Sequence, residues 1–403
     1  MKASIFTNEY PPHVYGGAGV HVDYLTRELS KLISVEVRCF GDQDIINGNL
    51  HIRGFDVDRH LFETCPKELE SALAACYRCV AFNAMSIDSQ IVHCHTWYTH
   101  FAGILAKLKY DIPLVITIHS LEPLRPWKKE QLGRAYNYSS WVEKTAIEMA
   151  DMVIAVSEET RRDVLNHFHV DEARVKVIYN GIDVDEYCRT CSRNIFEKYG
   201  IDRNKPYLLF VGRITRQKGI IHLVNAIPFL DPSIQVVLCA GAPDTKEIAE
   251  EMKTSVARVR ETHKNVFWIQ EMVDKRTLME LYSHAAAFCC PSIYEPFGII
   301  NLEAMACETP VVASAVGGIK EVVIPGETGI LVPLQEEEGC ACGETNINGK
   351  FSRDLAKAVN DLIRNPQLCE EMGKKGRKRA EEIFSWHAIA EKTVELYRSL
   401  IDQ

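Results

Sequence analysis

The chain has 403 residues, a formal net charge of −9 and 46% apolar residues, which is length enough for two or three domains with substantial cores. An acidic balance of this size argues against nucleic acid as a partner. No apolar run approaches the roughly 18 residues of a membrane span, and the opening MKASIFTNEYPP lacks the apolar stretch of a signal peptide, so a cytoplasmic protein with no membrane partner is expected.

In such a compartment the fourteen cysteines should stay reduced thiols. Cys76-x-x-Cys79 and Cys188-x-x-Cys191 lie far apart with no pattern joining them, and they read as buried or incidental cysteines, with a zinc site the lesser alternative.

Taken in order, residues 2–7 read as a strand, and Tyr15-Gly-Gly-Ala-Gly-Val-His21 as a glycine-rich loop running into a helix from about Val20 to Leu32. Val22, Leu25, Leu29 and Leu32 share one face of that helix. Strand, glycine loop and helix can bring the bare backbone of Gly16, Gly17 and Gly19 close to a phosphate; a tight turn explains the glycines as well. Ser34–Phe40, Gln90–His95 and Leu114–His119 read as further strands, with helices over Pro66–Met85 and His100–Tyr110. Ser140–Ala150 reads as a helix, Met152–Val156 as a strand and Val175–Ile178 as the last strand of this half. Asn180-Gly-Ile-Asp183 is a turn signal, which places a first domain over 1–184 and a second over 185–385.

The second half repeats the alternation. Tyr207–Val211, Ile234–Ala240, Val266–Ile269, Ala286–Pro291, Pro310–Ala313 and Gly329–Val332 are expected strands, and a helix follows the polar loop Gly212–Gly219 from about Ile220 to Leu230. Gln335–Lys350 reads as an exposed loop. Leu355–Ile363 and Cys369–Phe384 read as helices, and a last helix, His387–Leu400, is expected to return to the first domain. Alternating strands and helices predict an α/β protein with parallel sheets covered on both faces.

In such sheets ligands gather beyond the carboxyl ends of the strands, and the polar signals sit there. His93 and His95 close one strand. A structural role suits either histidine, and catalysis is the alternative. Arg213, Arg216 and Lys218 crowd the loop Gly212–Gly219. A solvated basic loop is one reading; the other is neutralisation of a diphosphate leaving group. In Pro291–Val312, Glu295 and Glu303 flank a Pro-Phe-Gly turn, Glu303 lying in the early turns of a helix over Ile299–Cys307 whose free N–H groups attract an anion. Asp56-Val-Asp58 and Asp183-Val-Asp185 match the D-x-D of metal-dependent sugar transferases, but the tripeptide is common by chance and lies outside the larger motifs.

The Glu295-x7-Glu303 stretch resembles the signature of retaining nucleotide-sugar glycosyltransferases of family 4, which have two Rossmann-like domains facing a cleft (the GT-B type). Ser157-Glu-Glu, Gly317-Gly-Ile and Gly326-Glu-Thr-Gly329 follow in that family's order and cover nearly the whole chain. The resemblance implies that His95 lies beside the donor sugar and is needed for catalysis, that Glu295 holds sugar hydroxyls and Glu303 the ribose, and that Arg213 and Lys218 take the diphosphate. Gly16, Gly17, Gly19 and the backbone of Phe297, Gly298 and Ile299 would lie near the donor.

The stretch His119–Gly133 resembles a loop of the actinobacterial-type glycogen synthases, a group that includes maltose-1-phosphate synthases, and suggests an acceptor region with His119, Arg125, Trp127 and Lys128. The longer glycogen synthases of family 5 carry a lysine in the corresponding loop that Tyr-Gly-Gly-Ala-Gly lacks, so no lysine role there carries over. The expected reaction is transfer of glucose from ADP-glucose or UDP-glucose to an α-1,4-glucan, with glucose 1-phosphate as the alternative acceptor, a nucleotide-sugar epimerase as a rival enzyme, and no metal or other cofactor.

Overall fold

The computed structural model describes residues 1–334 and 349–402, so most of the expected loop Gln335–Lys350 lies outside the described residues. Two compact units emerge: Met1–Gly181 with Trp386–Gln403, and Ile182–Ser385.

The first unit begins with β1 (Lys2–Thr7), α1 (Gly17–Leu32) and β2 (Ser34–Phe40), then β3 (Asp44–Asn47), β4 (Leu50–Phe55) and α2 (Lys67–Ala84). It continues with β5 (Ile91–His95), α3 (Trp97–Tyr110), β6 (Leu114–Ile118), α4 (Trp127–Leu132), α5 (Ala135–Met149), β7 (Met152–Ala155), α6 (Glu158–His167) and β8 (Val175–Val177). Its eight strands pair in the order β3-β4-β2-β1-β5-β6-β7-β8, all parallel except the antiparallel edge pair β3–β4.

Alternation along the strands sends side chains to two cores. Ile5 and Val37 meet Val22, Leu25 and Leu29 of α1 on one face. Phe6, Val92 and Ile116 meet Phe82, Ala102, Ile104 and Ile147 on the other.

The second unit comprises α7 (Asn194–Tyr199), β9 (Tyr207–Arg213), α8 (Ile220–Ala226), β10 (Gln235–Gly241), α9 (Lys246–Thr262), β11 (Val266–Ile269), α10 (Lys275–His284), β12 (Ala287–Cys290) and α11 (Ile299–Ala306). After these come β13 (Val311–Ser314), α12 (Ile319–Val322), β14 (Gly329–Val332), α13 (Gly349–Ile363) and α14 (Pro366–Ile383). The sheet order is β11-β10-β9-β12-β13-β14, and Leu208, Phe210 and Leu238 pack against Leu223, Val256, Leu355 and Val359. The final helix, α15 (Trp386–Ile401), packs on the α1 face of the first unit through Ile389, Val394 and Tyr397. No helix among the described residues is long and apolar enough to cross a membrane.

Three expectations change. Helix α1 starts at Gly17, so Gly17 and Gly19 form its first turn instead of a loop. The β3–β4 hairpin, joined by Gly48-Asn49, was not expected; β3 is exposed along its whole length and shows no alternation. Helix α6 was also missed, although Ser157 caps it by accepting from the Thr160 N–H at 3.0 Å, which gives Ser157-Glu-Glu a structural role.

In β2, Arg38 is fully buried. Its guanidinium donates to Glu36 at 2.8 Å, to the Ser86 carbonyl at 2.6 Å and to the Phe82 carbonyl, tying β2 to the end of α2. Arg38→Ala would leave these acceptors unmatched inside the unit. A loss of about 3–5 kcal/mol is expected, read as a lower urea midpoint for the transition that melts this unit; an unchanged midpoint would refute the assignment.

Candidate functional site

Each sheet reverses its strand order once, between β1 and β5 in the first unit and between β9 and β12 in the second. Ligands bind beyond the carboxyl ends at such reversals, and the expected residues lie at both.

In the first unit an acid engages the start of the glycine-rich loop after β1. The buried Glu9 carboxylate accepts from the Gly16 N–H at 2.7 Å and the Tyr15 N–H at 3.0 Å. A Cβ on Gly19 would stand 2.7 Å from Glu9 Cβ and 2.8 Å from Oε2, so this glycine makes room for Glu9. The protein's own carboxylate thus engages the Tyr15 and Gly16 N–H groups just before α1, while Gly17 and Gly19 lie in the helix's first turn. Glu9 was missed because it stands six and seven residues before the Tyr15 and Gly16 N–H groups that it binds.

At the end of β5, His93 is a structural histidine. It bonds the Tyr397 hydroxyl at 2.6 Å and Thr117 Oγ1 at 2.7 Å. His95 bonds His119 through Nδ1 at 2.9 Å, while its buried Nε2 has no partner. Burial first, then the neighbouring histidines, lowers the pKa of His95 well below the usual imidazole value, so the ring is neutral near pH 7 and its Nε2 can serve a sugar hydroxyl. Thr96, immediately after it, has φ +66°, a costly conformation for a β-branched residue, and its hydroxyl donates to Asn8 Oδ1 at 2.7 Å. His21, which sequence reasoning did not select, joins His95 and His119; it looked like one more residue of an amphipathic helix.

A cavity of about 910 Å³ in the same unit is lined by His13, Tyr15, Phe40, Lys67, Arg78 and Tyr98, among others. Arg78 is engaged there by Asp56 at 3.2 Å and Lys67 is exposed.

The loop after His119 has its own buried polar cluster. Arg125 pairs with the buried Glu122, whose other oxygen accepts from Ser139 at 3.1 Å, and Glu143 Oε2 accepts from the Glu122 N–H at 2.9 Å. Arg125 thus helps to hold the loop together, with its buried Nε left without a partner. Trp127 and Lys128 begin α4 and are half-buried.

In the second unit, Lys218 Nζ meets Glu295 Oε2 at 2.6 Å, and Ser292 Oγ donates to the same oxygen at 3.1 Å. Glu295 Oε1 remains as a second acceptor. Burial works against the Lys218 ammonium, but the Glu295 carboxylate outweighs it and holds the pKa above the ordinary lysine value. Arg213 is half exposed and pairs with Asp244 at 3.0 Å.

Gly298, at φ +94°, opens α11, a backbone that glycine adopts without strain, with the buried Phe297 before it and Ile299 after it. Glu303 faces inward and accepts from the Tyr282 hydroxyl at 3.0 Å; burial raises its carboxyl pKa despite that bond. The D-x-D tripeptides do structural work: Asp58 Oδ1 caps a short helical turn from the His60 N–H at 3.0 Å, and Asp183 Oδ1 accepts from the Asp185 and Glu186 N–H groups.

Comparison with known proteins agrees with this layout. Residues 15–186 match Glycosyltransferase Family 4 and residues 192–341 match Glycosyl transferases group 1. The chain is 46% identical over 408 residues to the alpha-maltose-1-phosphate synthase of Mycolicibacterium smegmatis, covering 99% of this chain and 100% of that one. It is 27% identical over 424 residues to the glycogen synthase of Mycobacterium tuberculosis, covering 98% and 94%. Among solved structures it resembles the sucrose-phosphate synthase of Thermosynechococcus elongatus, with a TM-score of 0.78, 26% identity and full coverage of both chains.

The Glu122–Glu143 cluster gives stability a pH dependence. Burial, and then the Glu122 carboxylate, raises Glu143 to about 8 from an ordinary value of 4.5. The folded state therefore holds a proton that the unfolded chain releases, so the contribution is full below about pH 4.5 and is lost as pH rises towards about 8. The expected slope is up to about 1.4 kcal/mol per pH unit. Glu143→Gln should flatten it in urea melts taken across that range; an unchanged slope would show that Glu143 does not titrate there.

Proposed function

The chain belongs to glycosyltransferase family 4, and from that premise we propose that it transfers glucose from a nucleotide sugar, ADP-glucose ahead of UDP-glucose, to glucose 1-phosphate with retention at the anomeric carbon. The observation that carries this choice of acceptor is the much higher full-length identity to an alpha-maltose-1-phosphate synthase than to a glycogen synthase. It reverses the order expected from sequence, in which a glucan came first.

The bond from the donor's anomeric carbon to the diphosphate breaks, a bond to the acceptor's hydroxyl oxygen forms, and the hydroxyl proton leaves with the diphosphate. Lys218 and Arg213 neutralise the charge that develops on the leaving group. Glu295 Oε1 accepts from a sugar hydroxyl while Oε2 keeps Lys218 in position. Glu303 holds the ribose, and neutral His95 meets the sugar through Nε2. We place the acceptor phosphate at exposed Lys67, in the cavity after β1 that Phe40 and Tyr98 also line, with Arg125 and Lys128 of the loop after His119 as the alternative cations.

Incubating each nucleotide sugar with glucose 1-phosphate or glycogen tests the reading. The expected main product is a disaccharide phosphate, with nucleotide release that depends on the acceptor; release without acceptor would favour an epimerase, and elongation of glycogen alone would restore the glucan reading. Lys218→Ala should lower kcat by about 10²-fold or more, and activity should survive excess chelator. Lys67→Ala should raise KM for glucose 1-phosphate by roughly 10- to 150-fold, the value of one charge-assisted contact, with little change in kcat. An unaltered KM would remove Lys67 from the acceptor site.

A further inference from the structure

Three imidazoles converge inside the first unit from three different elements. His21 is the fifth residue of α1, His95 closes β5, and His119 follows β6. One nitrogen of each lies within 4.8 Å of the other two. The ring centroids are 4.7 Å apart for His21 and His119, 5.2 Å for His95 and His119, and 5.4 Å for His21 and His95.

Packing alone does not account for the nitrogens. His21 Nδ1 lies 2.7 Å from Asn180 Oδ1, an oxygen that only accepts, so the ring proton sits on Nδ1 and Nε2 carries the lone pair. That Nε2 is buried without a partner, and so is His95 Nε2. An unpaired buried polar atom is costly; His95 Nε2 carries a lone pair as well when His95 Nδ1 donates to His119 Nε2, and two such nitrogens within one histidine cluster point to something that takes lone pairs.

We propose that His21, His95 and His119 form a binding site for a divalent transition-metal ion of borderline softness, Zn²⁺ being the natural case. Three imidazoles with a fourth position left to water are an established zinc coordination set. Asn180 supplies the outer hydrogen bond that fixes the tautomer and orientation of a ligating histidine. Each neutral ring keeps its one proton and gives its one lone pair, so binding requires no proton release.

The His95–His119 hydrogen bond is exchanged for metal bonds. Tetrahedral ligand nitrogens at about 2.0–2.1 Å from zinc lie about 3.3 Å apart, so the rings shift by on the order of 1 Å. An ion bound here competes for the His95 nitrogen that the transfer reaction uses. The site is therefore inhibitory, compatible with an activity that survives chelation.

The test is a titration of the full-length, chelator-treated protein with Co²⁺, in the absence of sugars. One equivalent should bind with the visible ligand-field bands of a tetrahedral, nitrogen-ligated ion, and Zn²⁺ should displace it. His21→Gln and His119→Gln should each weaken binding by tenfold or more, while His60→Ala, on an exposed histidine outside the cluster, should not. Thermal melts with and without Zn²⁺ control for folding, since the metal should raise Tm for the wild type and not for the cluster variants. Absence of the bands overturns the proposal, as do thiolate charge-transfer bands that persist in His21→Gln, which would assign the metal to cysteines. A protein inactive on every nucleotide sugar that still shows His21-dependent bands would sink the transfer reading and leave the metal site standing.

Discussion

The constraint on which the structure depends is the reversal of strand order in each sheet. In the first unit the connection after β1 leads to α1 on one face, and the connection after β5 leads to α3 on the opposite face. Neighbouring strands whose chains leave in opposite directions cannot cover the ground between their carboxyl ends. In the second unit β9 leads to α8, which packs in the main core, and β12 leads to α11, whose Met305 lies against Gly376 of α14. Polar side chains can stand at these points because the backbone there is already committed to the sheet.

The two reversals solve their electrostatics differently. In the first unit Glu9 accepts from the N–H groups of Tyr15 and Gly16 just before α1, and buried, uncharged imidazoles stand at the ends of β5 and β6. In the second, cations are kept in place by acids: Lys218 by Glu295, and Arg213 by Asp244. A buried ammonium without a partner would lose its charge or destabilise the unit. The acid that stabilises it also positions it, and a diphosphate can share the cation through the donors that Glu295 leaves unused. Exposed Arg213 can exchange partners at little cost.

The histidines depend on the far end of the chain. Tyr397, in the last helix, fixes His93, and the His93 ring lies 4.3 Å from that of His95 between centroids. Trp386 stands edge-on to His21 at 5.2 Å, and a Cβ on Gly181 would stand 2.5 Å from the Trp386 ring. Helix α15 is thus part of the wall that keeps these imidazoles dry and uncharged.

Much of this was legible in the sequence, because periodicity and punctuation are local. The alternation of strand and helix, and the opening of α11 at Ile299, follow from side-chain pattern and from glycine's tolerance of a positive φ. The motifs also indicated which charged residues gather at strand ends. Pairing across the chain was not legible. That Glu9 would occupy the glycine loop and that His21 would join His95 and His119 depend on contacts between residues 6 to 98 positions apart. Such contacts leave no period in the chain. The exposed hairpin β3–β4 escaped notice for the opposite reason, since a strand with no buried face has no pattern to show. The sequence by itself determined the elements and the kinds of chemistry available at their ends; only the tertiary structure decided which charges are already matched and which nitrogens are left with an open lone pair, because burial and partnership belong to the folded chain.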